Sequence, residues 1–86
     1  MGGPLTLVYA TVARLGEAED LALELRRSGT RAHVRDVALL HPDEPEPCDA
    51  LLALGADALE VVKRCYPGRD VSAGRATRKG AKAGKE

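Results

Sequence analysis

The sequence predicts one small α/β domain of two or three layers, with a mainly parallel sheet in the order 2-1-3-4 and two helices. Three observations carry that expectation. The apolar run Leu5-Thr6-Leu7-Val8-Tyr9-Ala10 is followed by a glycine-containing loop, an amphipathic stretch and a second extended stretch. The apolar run Asp49-Ala50-Leu51-Leu52-Ala53-Leu54-Gly55 precedes a second helical stretch in the same way. Between the two halves lies His41-Pro42-Asp43-Glu44-Pro45-Glu46-Pro47, whose alternating prolines remove backbone donors and hold their neighbours extended. A tight hairpin there would pair the second strand with the third and give a ferredoxin-like α+β fold, the alternative topology. The connection is long and stiff for such a turn, which favours the parallel arrangement.

Each element has its own signal. Residues 17–28 read as a helix, because Ala18, Leu21, Ala22 and Leu25 recur on one face. Glu17, Glu19 and Asp20 at its start and Arg26 and Arg27 at its end complement the helix dipole. Gly29 follows as a left-handed cap. Residues 30–40 alternate Ala32, Val34 and Val37 with His33, Arg35 and Asp36, the pattern of a half-wet edge strand. The proline-rich connection is an acidic surface segment that protects this edge. Residues 49–55 form the most apolar run and belong at the centre of the sheet. Asp57 is a suitable N-cap for a helix over residues 58–65, with Leu59 and Val62 turned inward. Tyr66-Pro67-Gly68 ends it, and residues 70–73 supply a short fourth strand. From Gly74 onward Gly, Ala, Lys and Arg alternate without apolar periodicity, so the domain is expected over residues 1–73 and a disordered basic tail over residues 74–86.

Composition narrows the functional classes. Phe and Trp are absent, Tyr9 and Tyr66 are the only aromatics, and the core must be built from Leu, Val and Ala. So small a core is marginal by itself, which points to self-association. The net charge of zero hides a split. Residues 74–86 carry five cations and one acid, net +4, and the preceding residues carry eight and twelve, net −4. No apolar run is long enough to span a bilayer, so no membrane partner is expected. No basic stretch precedes an apolar one at the start, so a secretory leader is not expected either. Cys48 and Cys65 form no CxxC pair and read as reduced thiols, which makes the cytoplasm the expected compartment.

The stretch Leu7-Val8-Tyr9-Ala10-Thr11 through Gly16-Glu17-Ala18-Glu19-Asp20-Leu21-Ala22 resembles the first strand, phosphate loop and first helix of flavodoxins. Cys48-Asp49-Ala50-Leu51-Leu52-Ala53-Leu54-Gly55 is similar to the third strand of that family, in which an Asp-Ala pair precedes an apolar run and a glycine. The resemblance implies a doubly wound sheet and a phosphate-binding loop at residues 11–16, where Thr11, Arg14 and Gly16 are the candidate ligand-binding residues. The loop departs from the family in Val12-Ala13-Arg14-Leu15, which is longer and lacks the second hydroxyl. Tyr66 is the one aromatic after Leu54 that would lie against a flavin ring. On these departures no cofactor is expected.

Other chemistry is sparsely signalled. The GxGxxG and GxxxxGK[ST] nucleotide signatures are absent, and neither cysteine begins a Cys-x5-Arg phosphatase loop. His33, His41, Cys48 and Cys65 match no close-pair ligand spacing, so no metal is expected. His33 reads as a strand surface residue, His41 as an exposed loop residue, and both cysteines as small packed hydrophobes. Glu17, Glu19, Asp20 and Glu24 form the solvated face of a helix rather than a catalytic cluster. Met1-Gly2-Gly3-Pro4-Leu5-Thr6 fits the myristoylation pattern only through small residues, a match that chance explains. The cations Arg75, Arg78, Lys79, Lys82 and Lys85 suit salt-sensitive, sequence-blind contact with nucleic acid or an acidic partner. They equally suit a solubilising tail or an internal partner for the acidic residues 43–49. No aromatic interleaves them for base stacking. The expected function is a non-enzymatic interaction or assembly module that self-associates through an apolar sheet edge or helix face. The alternative is a protein that binds a phosphate-containing ligand, nucleotide or flavin, at the loop 11–16. A thiol enzyme built on Cys48 or Cys65 has the least support.

Overall fold

The computed structural model describes residues 4–74. Four strands, β1 (Leu5–Ala10), β2 (Arg31–Asp36), β3 (Ala50–Leu54) and β4 (Val71–Gly74), make one sheet in the order β2-β1-β3-β4. Every pairing is parallel. β1 is the hub, with Leu7 in register with His33 of β2 and with Leu51 of β3. The proline-rich connection therefore carries the chain across β1 instead of folding it back as a hairpin, and the ferredoxin-like alternative is excluded. The strand order is compatible with a flavodoxin-like fold.

Alternation along β1 sends its side chains into two cores. Val8 and Ala10 pack with Ala18, Leu21 and Ala22 of helix α1 (Leu15–Arg27), together with Ala32 and Leu54. Leu7 and Tyr9 pack on the other face with Ala58, Val62 and Cys65 of helix α2 (Ala56–Cys65), together with Leu51 and Ala53. One helix thus covers each face, and the domain has three layers.

Several boundaries differ from the sequence expectation, each for a local reason. Residues 12–14 form a 3-10 turn that runs straight into α1, so the helix begins at Leu15 and not at Glu17. β2 stops at Asp36, whose Oδ1 accepts a 2.9 Å bond from the Ala38 amide and turns the chain into a second 3-10 turn, Val37–Leu39. Gly55 occupies the N-cap of α2 with φ +89°, which displaces Asp57 into the first turn. A side chain is strained at that angle, and glycine is not. Gly29 caps α1 with φ +95°, as expected. Gly74 is the last residue of β4 rather than the first of a tail. The remainder of the predicted tail, with Arg75, Arg78, Lys79, Lys82 and Lys85, lies outside the described residues.

The acidic connection is fastened down at its far end. Arg35 grips the Glu46 carboxylate with two bonds, Nε to Oε1 at 2.7 Å and Nη2 to Oε2 at 3.0 Å. Tyr66 donates its hydroxyl to the Glu46 carbonyl at 2.6 Å, and Arg69 donates to the Cys48 carbonyl at 3.0 Å. The Leu5 amide donates to Asp49 Oδ2 at 2.8 Å, and the Asp49 amide donates to the Leu5 carbonyl at 2.9 Å.

Candidate functional site

In a doubly wound sheet, ligands collect beyond the carboxyl ends of the strands, where the chain order reverses direction. Here that place lies between β1, which leads outward to β2, and β3, which leads outward to β4. Thr11 follows β1 and Gly55 follows β3, and a cleft of about 140 Å³ opens there, lined also by Arg14, Leu54, Ala56 and Asp57. Two of the three predicted loop residues, Thr11 and Arg14, are brought together. Gly16 is not: it sits exposed in the first turn of α1, away from the cleft lining.

Arg14 leans over Gly55, where a Cβ would stand 3.2 Å from Arg14 Nε. Its Nη1 also reaches Glu17 Oε1 at 3.3 Å, with both side chains about half exposed. Neither helix has a side-chain cap at its N-terminus. The first amides of α2 thus face the cleft without a capping oxygen, and a small anion would suit them electrostatically. Asp57 on the same wall opposes that preference. The volume falls below the 300–1,000 Å³ or so of sites that enclose a drug-sized ligand.

The aromatic pair lies elsewhere. Tyr9 and Tyr66 are both almost fully buried, on the α2 side of the sheet beneath the acidic connection. Their rings tilt at 57° with centroids 6.1 Å apart. Burial first, and then the hydrogen bond with Tyr66, push the Tyr9 phenol well above its ordinary value. Burial also raises Tyr66. Tyr66 is therefore a core residue and an anchor for Glu46, and it does not line the cleft. The sequence signal for this pair was only that no other aromatics exist.

The remaining candidates are dispersed. Cys65 is buried in the α2-side core, and Cys48 is half-buried, with its thiol pushed up by burial against an opposing influence from Arg69. His33 and His41 are exposed. No three acidic, histidine or cysteine side chains among the described residues converge as a metal site. No helix among them is long and apolar enough to cross a membrane. Glu17, Glu19, Asp20 and Glu24 are exposed on α1.

The two rims of the sheet differ, which sequence reading had not separated. On β2, Arg26 Nε donates to the Ala32 carbonyl and Arg35 Nη1 to the Val34 carbonyl, both at 2.9 Å. Strands ~4.8 Å apart leave no room for a guanidinium between them, so both carbonyls face away from β1. Two outward carbonyls of β2 are thereby occupied. Val71-Ser72-Ala73-Gly74 in β4 carries no charge and no proline. The faces are uneven too. α1 packs over β1 and β2, leaving Leu52 half-buried and Ala50 and Ser72 exposed on its side of β3 and β4.

No protein-family model matches this chain, and comparison with curated proteins and with solved structures finds no match.

Proposed function

We propose that the chain is a small, non-enzymatic assembly module that associates with copies of itself. The observation that carries this reading is the uneven cover of the sheet: on the α1 side Leu52 is only half-buried, and Ala50 and Ser72 are exposed. A core built without Phe or Trp gains from any further apolar burial, and a second copy supplies it at no cost in sequence. The cationic residues Arg75 to Lys85 add a salt-sensitive contact for nucleic acid or an acidic partner. Sedimentation velocity from micromolar to submillimolar protein tests the reading. A concentration-dependent dimer is expected, and a monomer throughout that range overturns it. Retention on DNA that falls with added salt and disappears on truncation after Gly74 tests the cationic segment.

A second reading is favoured by the convergence of Thr11, Arg14 and the uncapped start of α2 on one cleft. It assigns that cleft to the phosphate group of a small ligand, in the manner of a reduced flavodoxin-like loop. Thermal melts with inorganic phosphate, AMP and FMN test it. Stabilisation that Arg14→Glu removes supports the reading, and unchanged melting with all three discards it.

A further inference from the structure

We infer that a groove at the amino end of β2 holds a phosphate monoester, gripped by Arg26, Arg31 and His33. The site lies at the opposite end of the strands from the Thr11–Arg14 cleft and shares no lining residue with it. It goes beyond self-association and does not depend on it.

The groove has a volume of about 380 Å³ and is lined by Arg26, Gly29, Thr30, Arg31, Ala32 and His33. That volume falls within the ~300–1,000 Å³ of small-molecule sites. Its three cationic or proton-bearing groups arrive from two sides of the sheet. Ala32 and Val34 pack toward α1, so alternation turns Arg31 and His33 to the other face. Arg26 reaches over the margin from the last turn of α1. Its Nε donates to the Ala32 carbonyl at 2.9 Å, which fixes the planar fork and leaves two terminal nitrogens for an acceptor. Gly29 presents no side chain, and nothing stands within 4 Å of the place its Cβ would take, so the groove stays open there.

The charge around the groove suits an anion. None of the lining residues is acidic. Glu24 is paired with Arg27 at 3.6 Å, and Glu46, which senses the charge of His33, is already held by two bonds from Arg35. Bare carbonyls at the end of α1 would repel an anion. Those of Glu24, Leu25 and Arg26 instead accept from the amides of Ser28, Gly29 and Thr30 and from the Ser28 hydroxyl. Donors that converge from two sides match the tetrahedral oxygens of a phosphate better than a flat carboxylate. A phosphate monoester carries a charge of about −1.5 to −2 at pH 7, and arginine pairs with it through two parallel bonds. The imidazole has an N–H to donate whether it is neutral or charged.

Amide chemical shifts of the full chain, followed in low salt as inorganic phosphate, ribose 5-phosphate or AMP is added, test the site. Saturable shifts at residues 29–33 are expected with all three. Equal affinity for the two esters marks the phosphate alone as the recognised group, and tighter binding of AMP marks a nucleotide; both support the inference. Arg26→Gln and Arg31→Gln should each weaken binding about tenfold, with thermal melts to verify the fold. Arg27→Gln removes the same charge from the same turn but outside the lining, and should leave the affinity unchanged. Equal losses from Arg27→Gln and Arg26→Gln would reveal a diffuse field and overturn the site. Shifts confined to Thr11 and residues 55–57 would also overturn it, and would support the other cleft.

Discussion

The Tyr66 hydroxyl lies 2.8 Å from the Tyr9 hydroxyl and 2.6 Å from the Glu46 carbonyl. Tyr66 donates to Glu46 and accepts from Tyr9, so two phenols buried in the apolar core both find partners. The arrangement ties the end of α2, the central strand β1 and the acidic connection to one another.

The two hydroxyls are unequal in consequence. Tyr66→Phe removes the donor to Glu46 and the acceptor for Tyr9, and is expected to cost ~2 kcal/mol. Tyr9→Phe leaves the Tyr66–Glu46 bond in place and is expected to cost ~1 kcal/mol or less. Urea denaturation of the two variants measures the difference. Equal losses would show that the bonds act independently of this order.

Alkaline pH should loosen the same node. Both phenols are raised in the folded state, chiefly by burial, so the native protein holds protons that the unfolded chain releases. Their contribution is complete below the unfolded phenol value of about 10 and is lost as pH rises through the folded values. The urea midpoint should therefore hold steady to about pH 9 and fall beyond it. Tyrosinate absorbance should rise together with unfolding, and a titration of both phenols in a folded chain would contradict this account.

The Arg35–Glu46 pair has the opposite pH sense. Hydrogen bonding to Arg35 holds the Glu46 carboxyl below its ordinary range. That stability is present above the unfolded carboxylate value of about 4.3 and is lost as pH falls. Both side chains are about 40% exposed, and water screens them. Glu46→Gln is accordingly expected to cost no more than ~1 kcal/mol at neutral pH, and less in high salt. A loss above that, insensitive to salt, would mean that the pair is effectively dry.

Two glycines should answer substitution in opposite ways. Gly55→Ala forces a side chain to φ +89° and its Cβ to 3.2 Å from Arg14 Nε. Because Arg14 can swing away, the backbone angle dominates the cost of ~1–2 kcal/mol, and adding Arg14→Ala should not recover it. Gly16 has open space around it within α1, and Gly16→Ala should be neutral or stabilising by up to ~1 kcal/mol. Melting temperatures of the three variants decide the matter.

Legibility followed the range of the interactions. The two apolar runs and the helical spacing of Ala18, Leu21, Ala22 and Leu25 identified β1, β3 and α1, because burial on a sheet or helix face writes a period into the sequence. The stiffness of residues 41–47 identified the parallel order. Boundaries were less legible. Asp57 looked like a cap by residue type, yet Gly55 holds that place through a backbone angle that periodicity does not record. At the candidate cleft, Thr11, Arg14 and Gly16 were nominated together by the likeness of the loop after β1 to a phosphate loop; Thr11 and Arg14 line the cleft, whereas Gly16 falls in the helix. The Tyr9–Tyr66 contact spans 57 residues, and the arginine caps on β2 depend on three-dimensional reach. No local pattern encodes either.

The guanidinium groups of Arg26 and Arg35 on the Ala32 and Val34 carbonyls bear on how the sheet meets its surroundings. A ribbon sticky along both margins can recruit newcomers at each end and lengthen into a fibre. With the Ala32 and Val34 carbonyls on one margin already held by guanidinium groups of the same chain, that margin is the less receptive of the two.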